Sequence, residues 1–197
     1  MKEKLLTSYD NFLDIQLINQ INSYAETSKN DPVWKTSHVW SEEIKRQTSP
    51  VAILPLPDGF NNRIRTRLKE TGLTWKDDNP PQRSKYYLYP PGGYIGWHDD
   101  SRYEFASIIF LNSMWNLDWG GLLLYEDLTD LGIRAAVPTF NTCIINGGGV
   151  PHGVSITSPD APLRCVIITF GPFIPEEERN KANSNWQSWR KKRNMKW

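Results

Sequence analysis

Between residues 85 and 170 the chain breaks into eight short apolar runs: Lys85–Tyr89, Tyr94–Trp97, Phe105–Leu111, Gly121–Tyr125, Ile133–Ala136, Thr142–Ile145, Gly153–Ile156 and Arg164–Phe170. Clusters of Gly, Pro, Asp and Asn separate them. Short strands punctuated in this way form a sandwich or jelly roll. Helical spacing is confined to the flanks. Asp14 precedes Ile15, Leu17, Ile18, Ile21 and Tyr24, and its carboxylate suits the free N–H groups of a first helical turn. Phe60, Ile64 and Leu68 recur four apart and are stopped by Gly72, which predicts a second supporting helix. Past Pro175 an acidic then basic run predicts a C-terminal helix whose charges match its dipole. The expected fold class is therefore mainly β with flanking helices around a jelly-roll core.

Only three histidines are present, and two lie in glycine-rich settings at the ends of predicted strands. His98 closes YPPGGYIGWHDD, and His152 sits in VPHG. If residues 98–100 are extended, the side chains at i and i+2 leave one face, so His98 and Asp100 enter the same space. A jelly roll brings the second and seventh strands side by side, adding His152. Two histidines and one carboxylate occupy half of an octahedron and leave the other half open, the ligand set of non-heme Fe(II) oxygenases. Arg164 opens an apolar β-branched run, where a buried guanidinium needs an anion and its fork fits a carboxylate. His38 has no carboxylate at i+2 and no glycine-rich setting, and is read as a solvated or packing residue.

The order Tyr89-Pro-x-Gly, His98-x-Asp100, Phe110-Leu111-Asn112, Trp115, Gly120-Gly121-x-Leu123, His152 and Arg164 resembles the Fe(II)/2-oxoglutarate dioxygenases of the prolyl-4-hydroxylase type. The match covers about residues 85 to 173. The resemblance implies a double-stranded β-helix in which His98, Asp100 and His152 bind Fe(II). It further implies that 2-oxoglutarate and O2 fill the remaining positions and that Arg164 holds the far carboxylate of 2-oxoglutarate. Tyr89 is the phenol implied to assist Arg164, with Tyr87 in reserve. The implied reaction is oxidative decarboxylation to succinate and CO2 coupled to hydroxylation of a C–H bond, and ascorbate is a candidate auxiliary reductant. A short strand is expected ahead of the first helix.

Peptidyl proline is the leading substrate class by the same resemblance, with free amino acids and small metabolites as alternatives. A jelly-roll metal enzyme without 2-oxoglutarate would have no use for Arg164. A non-catalytic sugar-binding module would leave the order of the histidines, the carboxylate and the arginine unexplained. The substrate entrance is expected between the Trp75–Tyr86 loop, residues 99–103 and the aromatic face carrying Trp115. Arg102 there either reaches a peptide carbonyl or substrate carboxylate, or is an exposed surface arginine; Trp115 either faces substrate or packs in the core. The Trp75–Tyr86 loop is read as a connector or a lid.

The 197 residues suit one domain, with helices and loops over 1–84, the jelly roll over 85–173 and the C-terminal helix over 174–197. A net charge of +1 gives no electrostatic ground for a nucleic-acid partner. No apolar stretch approaches a membrane span or a signal peptide, and Cys143 and Cys165 both lie in strand-like runs. Reduced, buried cysteines fit a soluble protein of the cytoplasm, with a disulfide between the two strands as the alternative.

Overall fold

A computed structural model of the chain describes residues 6–28, 35–37, 48–127, 132–147 and 149–178. The described strands are β1 (Leu6–Tyr9), β2 (Lys35–Ser37), β3 (Val51–Pro55), β4 (Lys85–Tyr89), β5 (Ile95–His98), β6 (Ala106–Phe110), β7 (Leu123–Glu126), β8 (Ile133–Ala136), β9 (Cys143–Asn146), β10 (His152–Val154) and β11 (Arg164–Phe170). Two helices accompany them, α1 (Ile15–Thr27) and α2 (Asp58–Glu70). The strands form a seven-stranded sheet, in the order β1-β9-β6-β11-β4-β3-β2, and a four-stranded sheet, β5-β10-β7-β8. Every strand pair is antiparallel. This is the expected jelly roll. Each of the eight predicted strands is present, shifted by no more than two residues at its ends.

Side-chain alternation along β11 shows how the sheet serves two layers. Arg164, Val166 and Ile168 face the small sheet, whereas Ile167 faces the helices. Tyr87 and Tyr89 on β4 share the inner face with Val166 and Ile168, and they meet Ile95, Leu123 and Val154 of the small sheet. On the other face Tyr86, Ile109 and Ile167 pack against Leu17, Ile18 and Ile21 of α1 and Ile64 and Leu68 of α2. Each such buried aliphatic side chain contributes about 1.5–3 kcal/mol. Both helices are therefore scaffold for the large sheet.

Asp14 caps α1 as expected, its Oδ1 accepting from Gln16 N at 2.7 Å and Leu17 N at 3.2 Å. Ile15 departs from the expected apolar stripe and is exposed, because it sits on the first turn, away from the sheet. Helix α2 is tied to the sheet by the buried Asn61, which donates to Leu56 O at 2.6 Å and accepts from Ser84 N at 2.6 Å. The short strand expected ahead of α1 is β1, paired with β9. Strand β2, Lys35–Ser37, pairs with β3, and His38 lies outside the described residues. Of the C-terminal helix only 176–178 are described, and they are helical. Cys143 and Cys165 are free thiols. Among the described residues no helix is long and apolar enough to cross a membrane.

Candidate metal centre

Strands β5 and β10 are hydrogen-bonded neighbours, and their register sets His152 directly opposite His98. Residues opposed across an antiparallel pair share a face, so both imidazoles enter one space, with ring centroids 4.2 Å apart. Gly153 permits the approach: a Cβ there would stand 3.0 Å from Ile95 O. Asp100 joins them by a route that alternation does not describe. Strand β5 ends at His98, and Asp100 adopts a left-handed conformation with φ 49°. The turn is closed by Tyr103 N donating to Asp100 O at 3.0 Å and Ser101 N donating to Asp99 Oδ1 at 3.0 Å. Asp is among the few residues that tolerate this conformation. The two side chains thus converge because the chain turns back, and not because it stays extended.

The donor atoms of His98, Asp100 and His152 all lie within 4.8 Å of one another. Asp100 Oδ2 is 3.4 Å from His152 Nε2, and Oδ1 is 3.9 Å from His98 Nε2. The other ring nitrogens are occupied. His98 Nδ1 lies 2.8 Å from Gly96 O, and His152 Nδ1 lies 2.8 Å from Val150 O. A carbonyl partner assigns the proton to Nδ1 and leaves the Nε2 lone pair for a metal. Asn146 fixes this arrangement at His152. Its Nδ2 donates to Val150 O at 3.1 Å, and its Oδ1 accepts from Val150 N at 3.3 Å. The buried amide therefore holds the carbonyl that orients the ring.

Electrostatics agree with a cation site. Burial is the largest influence on Asp100 and pushes its pKa up, but the two imidazoles, led by the hydrogen bond with His152, hold it below the usual carboxylate range. Burial, followed by the neighbouring imidazole, lowers the pKa of His98. At His152 burial again pulls down, yet contact with Asp100 outweighs it and raises the pKa. The carboxylate is ionised and faces two nitrogen donors, a set that fits a divalent cation and would leave it room for further ligands. A cavity adjoins the triad, with walls of Ile95, Ile108, Leu123, Ile144, Ile168 and Phe170.

Arg164 lies further along the same inter-sheet layer, four residues up β11 from Ile168, about 13 Å at strand rise. It is fully buried, and Nε, Nη1 and Nη2 all lack a hydrogen-bond partner. Tyr89, its register partner on β4, is buried with an equally unpartnered hydroxyl. The guanidinium lies over the rings of Tyr89 at 5.3 Å and Phe110 at 5.4 Å. Burial lowers the Arg164 pKa to about 10, so it stays charged at neutral pH. Burial raises the pKa of Tyr89, against the pull of Arg164, and keeps it a neutral donor. An unpaired buried cation beside an unpaired buried phenol fits an anion with several acceptor oxygens. Tyr87 stacks on Tyr89, ring centroids 6.2 Å apart.

The remaining expected residues separate. Arg102 is exposed on the turn after Asp100, near enough for its charge to favour the ionised carboxylate. Tyr103 stacks on Phe170 at 4.6 Å, and Gln82 N donates to Phe170 O at 2.7 Å. Residues 99–103 and the Trp75–Tyr86 loop therefore both border the segment that walls the cavity. Trp115 stands apart from them, with its indole against Gly121 at the Arg164 end. Asn146 had no functional expectation, and its one sequence signal is its place at a strand end before the glycines that lead to His152.

No family model and no curated protein matches the chain. Solved structures do. A prolyl hydroxylase from Trichoplax adhaerens, in complex with a hypoxia inducible factor oxygen degradation domain peptide fragment, is 15% identical with a TM-score of 0.68 over 90% of this chain and 87% of that one. A Pseudomonas putida prolyl-4-hydroxylase is 15% identical with a TM-score of 0.61 over 88% of this chain and 95% of that one. The chain has the prolyl-4-hydroxylase-like fold of the 2OG-Fe(II) oxygenases. A Burkholderia pseudomallei oxidoreductase of the 2OG-Fe(II) oxygenase family agrees, at 14% identity and a TM-score of 0.63 over 85% of this chain and 84% of that one.

Proposed function

We propose that this chain is an Fe(II)- and 2-oxoglutarate-dependent dioxygenase that hydroxylates an unactivated C–H bond, with a prolyl residue of a peptide or protein as its leading substrate. One observation carries the reading. A facial set of two histidines and a carboxylate shares an inter-sheet layer with Arg164, whose three guanidinium nitrogens are buried without partners. Such a cation is costly to keep unless a ligand uses it. The prolyl preference rests on the sequence resemblance and on prolyl hydroxylases among the structural neighbours.

In this reading His98, Asp100 and His152 hold the iron, and the Nδ1–H groups of the two histidines, bonded to Gly96 O and Val150 O, fix the rings for it. Arg164 pairs with the far carboxylate of 2-oxoglutarate, and Tyr89 donates to it. The apolar walls around Leu123, Ile144 and Ile168 exclude water along the co-substrate chain. Arg102 reaches outward to the substrate from the turn that carries Asp100. Bound Fe(II) and 2-oxoglutarate would supply the oxidation, with O2 consumed and succinate and CO2 released. One catalytic domain spans the chain. The test is succinate formation by the Fe(II)-loaded protein. His152→Ala and Asp100→Ala should each abolish it and weaken Fe(II) binding at least a hundredfold while the fold survives. Full turnover by His152→Ala would remove the triad from the reaction.

A further inference from the structure

No hydrogen bond fixes the direction of the Arg164 head, because no guanidinium nitrogen has a hydrogen-bond partner and the Tyr89 and Phe110 rings offer it only their faces. Its aim must come from its backbone and its stem. Beside the pairing of its backbone with β4, both are met by one segment, Asn112 to Gly121, which leads from β6 toward β7. The Asn112 side chain clamps the peptide units on either side of Arg164: Nδ2 donates to Leu163 O at 2.8 Å and Oδ1 accepts from Cys165 N at 2.8 Å. Leu111 N adds a bond to Cys165 O at 3.0 Å. At the other end Gly121 lies against the stem. A Cβ there would stand 3.4 Å from Arg164 Cδ, 3.0 Å from Trp115 Cζ2 and 2.7 Å from Thr157 Cγ2.

Trp115 fixes that end. Its Nε1 donates to Gly120 O at 2.9 Å, and its ring meets Trp119 edge-on at 5.5 Å. Gly120, at φ 65° and ψ −136°, occupies backbone space open essentially to glycine alone, and a Cβ there would run into Ile156 O. The double glycine thus lets the strap close onto Ile156 and Thr157, which brings Gly121 beside the Arg164 stem with the Trp115 indole against it.

We propose that this strap aims Arg164 at the far carboxylate of the co-substrate, with Asn112 and Trp115 as positioning residues; the proposal rests on the reading of Arg164 as the 2-oxoglutarate anchor. Loosening the strap lets the guanidinium swing in its pocket, which weakens 2-oxoglutarate binding and leaves the metal ligands untouched.

Calorimetry on the full chain tests this, with Mn(II) in place of Fe(II) and with two probes: 2-oxoglutarate, and 2-oxobutyrate, which lacks the far carboxylate. Asn112→Ala, which loses both clamp bonds, should weaken 2-oxoglutarate binding about tenfold or more, and Trp115→Phe, which loses one bond, about fivefold. Asn112→Asp keeps the acceptor for Cys165 N and should fall between wild type and Asn112→Ala. Mn(II) and 2-oxobutyrate affinities should hold within about twofold. Adding Asn112→Ala to Arg164→Met should produce no further loss. Wild-type 2-oxoglutarate affinity in both Asn112→Ala and Trp115→Phe overturns the proposal while the anchor reading stands, as does an equal loss for both probes. Failure of the wild-type chain to bind either Mn(II) or 2-oxoglutarate overturns both.

Discussion

Arg164→Met should make the protein more stable and useless at once. In the free protein the guanidinium is fully buried with no hydrogen-bond partner, and burial pulls its pKa down to about 10. A shift of that size disfavours the charged form in the fold by about 3 kcal/mol. Contacts with the Tyr89 and Phe110 rings return about 1 kcal/mol of what methionine would lose in its place. Methionine fills a similar volume without the charge, so the net gain is about 2 kcal/mol. For a chain of this size that raises Tm by about 4–8 °C. On the proposed role of Arg164, the same change removes a charge-assisted pair with the co-substrate, costing about 3–5 kcal/mol, or about two to four orders of magnitude in affinity. The assay is thermal unfolding of the metal-loaded protein with and without 2-oxoglutarate. Ligand should raise the wild-type Tm and leave that of Arg164→Met unmoved. The sign of the pH dependence follows. Because the folded pKa is the lower one, wild-type stability rises relative to the variant as pH climbs past about 10, where 2-oxoglutarate binding fails as the charge is lost. A variant less stable than wild type without ligand would show that Arg164 is satisfied in the free fold and would refute the anchor argument.

Two further substitutions probe the neighbourhood. Asn146→Ala frees the Val150 carbonyl that orients His152 and should weaken Fe(II) binding about 10–100-fold with an unchanged 2-oxoglutarate requirement at saturating metal, measured by metal titration. Arg102→Ala should leave substrate-free decarboxylation of 2-oxoglutarate intact and lower hydroxylation of a bound proline-containing peptide, followed by mass spectrometry; parallel loss of both activities would place Arg102 in support of Asp100.

The triad was legible because the chain has so few histidines and because the strand pattern forces β5 and β10 together. Arg164 was legible because a cation heading a β-branched run has nowhere wet to go. What the sequence hid is tertiary. The left-handed turn at Asp100 leaves no mark that distinguishes HDD from an extended segment. Strand β3 carries no alternation: VAILP has buried residues on both faces and sits between prolines, so periodicity does not assign it. Asn112 and Asn146 look like ordinary residues at strand ends. The partners of Asn112 lie 51 and 53 positions away, and only the register of β6 against β11 brings them within reach. For Trp115 the sequence leaves open substrate contact or core packing, because nothing local shows that its indole bonds Gly120 O and lies against Gly121 at the Arg164 end.

In the proposed function one layer of this sandwich holds Fe(II) and 2-oxoglutarate together. Anaerobic titration of the full chain with Fe(II) and then with 2-oxoglutarate tests it most directly. Chelation of the triad-bound metal by the keto acid should raise a weak visible metal-to-ligand charge-transfer band that saturates at one equivalent of each, is absent in Asp100→Ala, and needs far more 2-oxoglutarate in Arg164→Met. Absence of the band from the wild-type protein, with Fe(II) bound and 2-oxoglutarate in excess, would contradict the account.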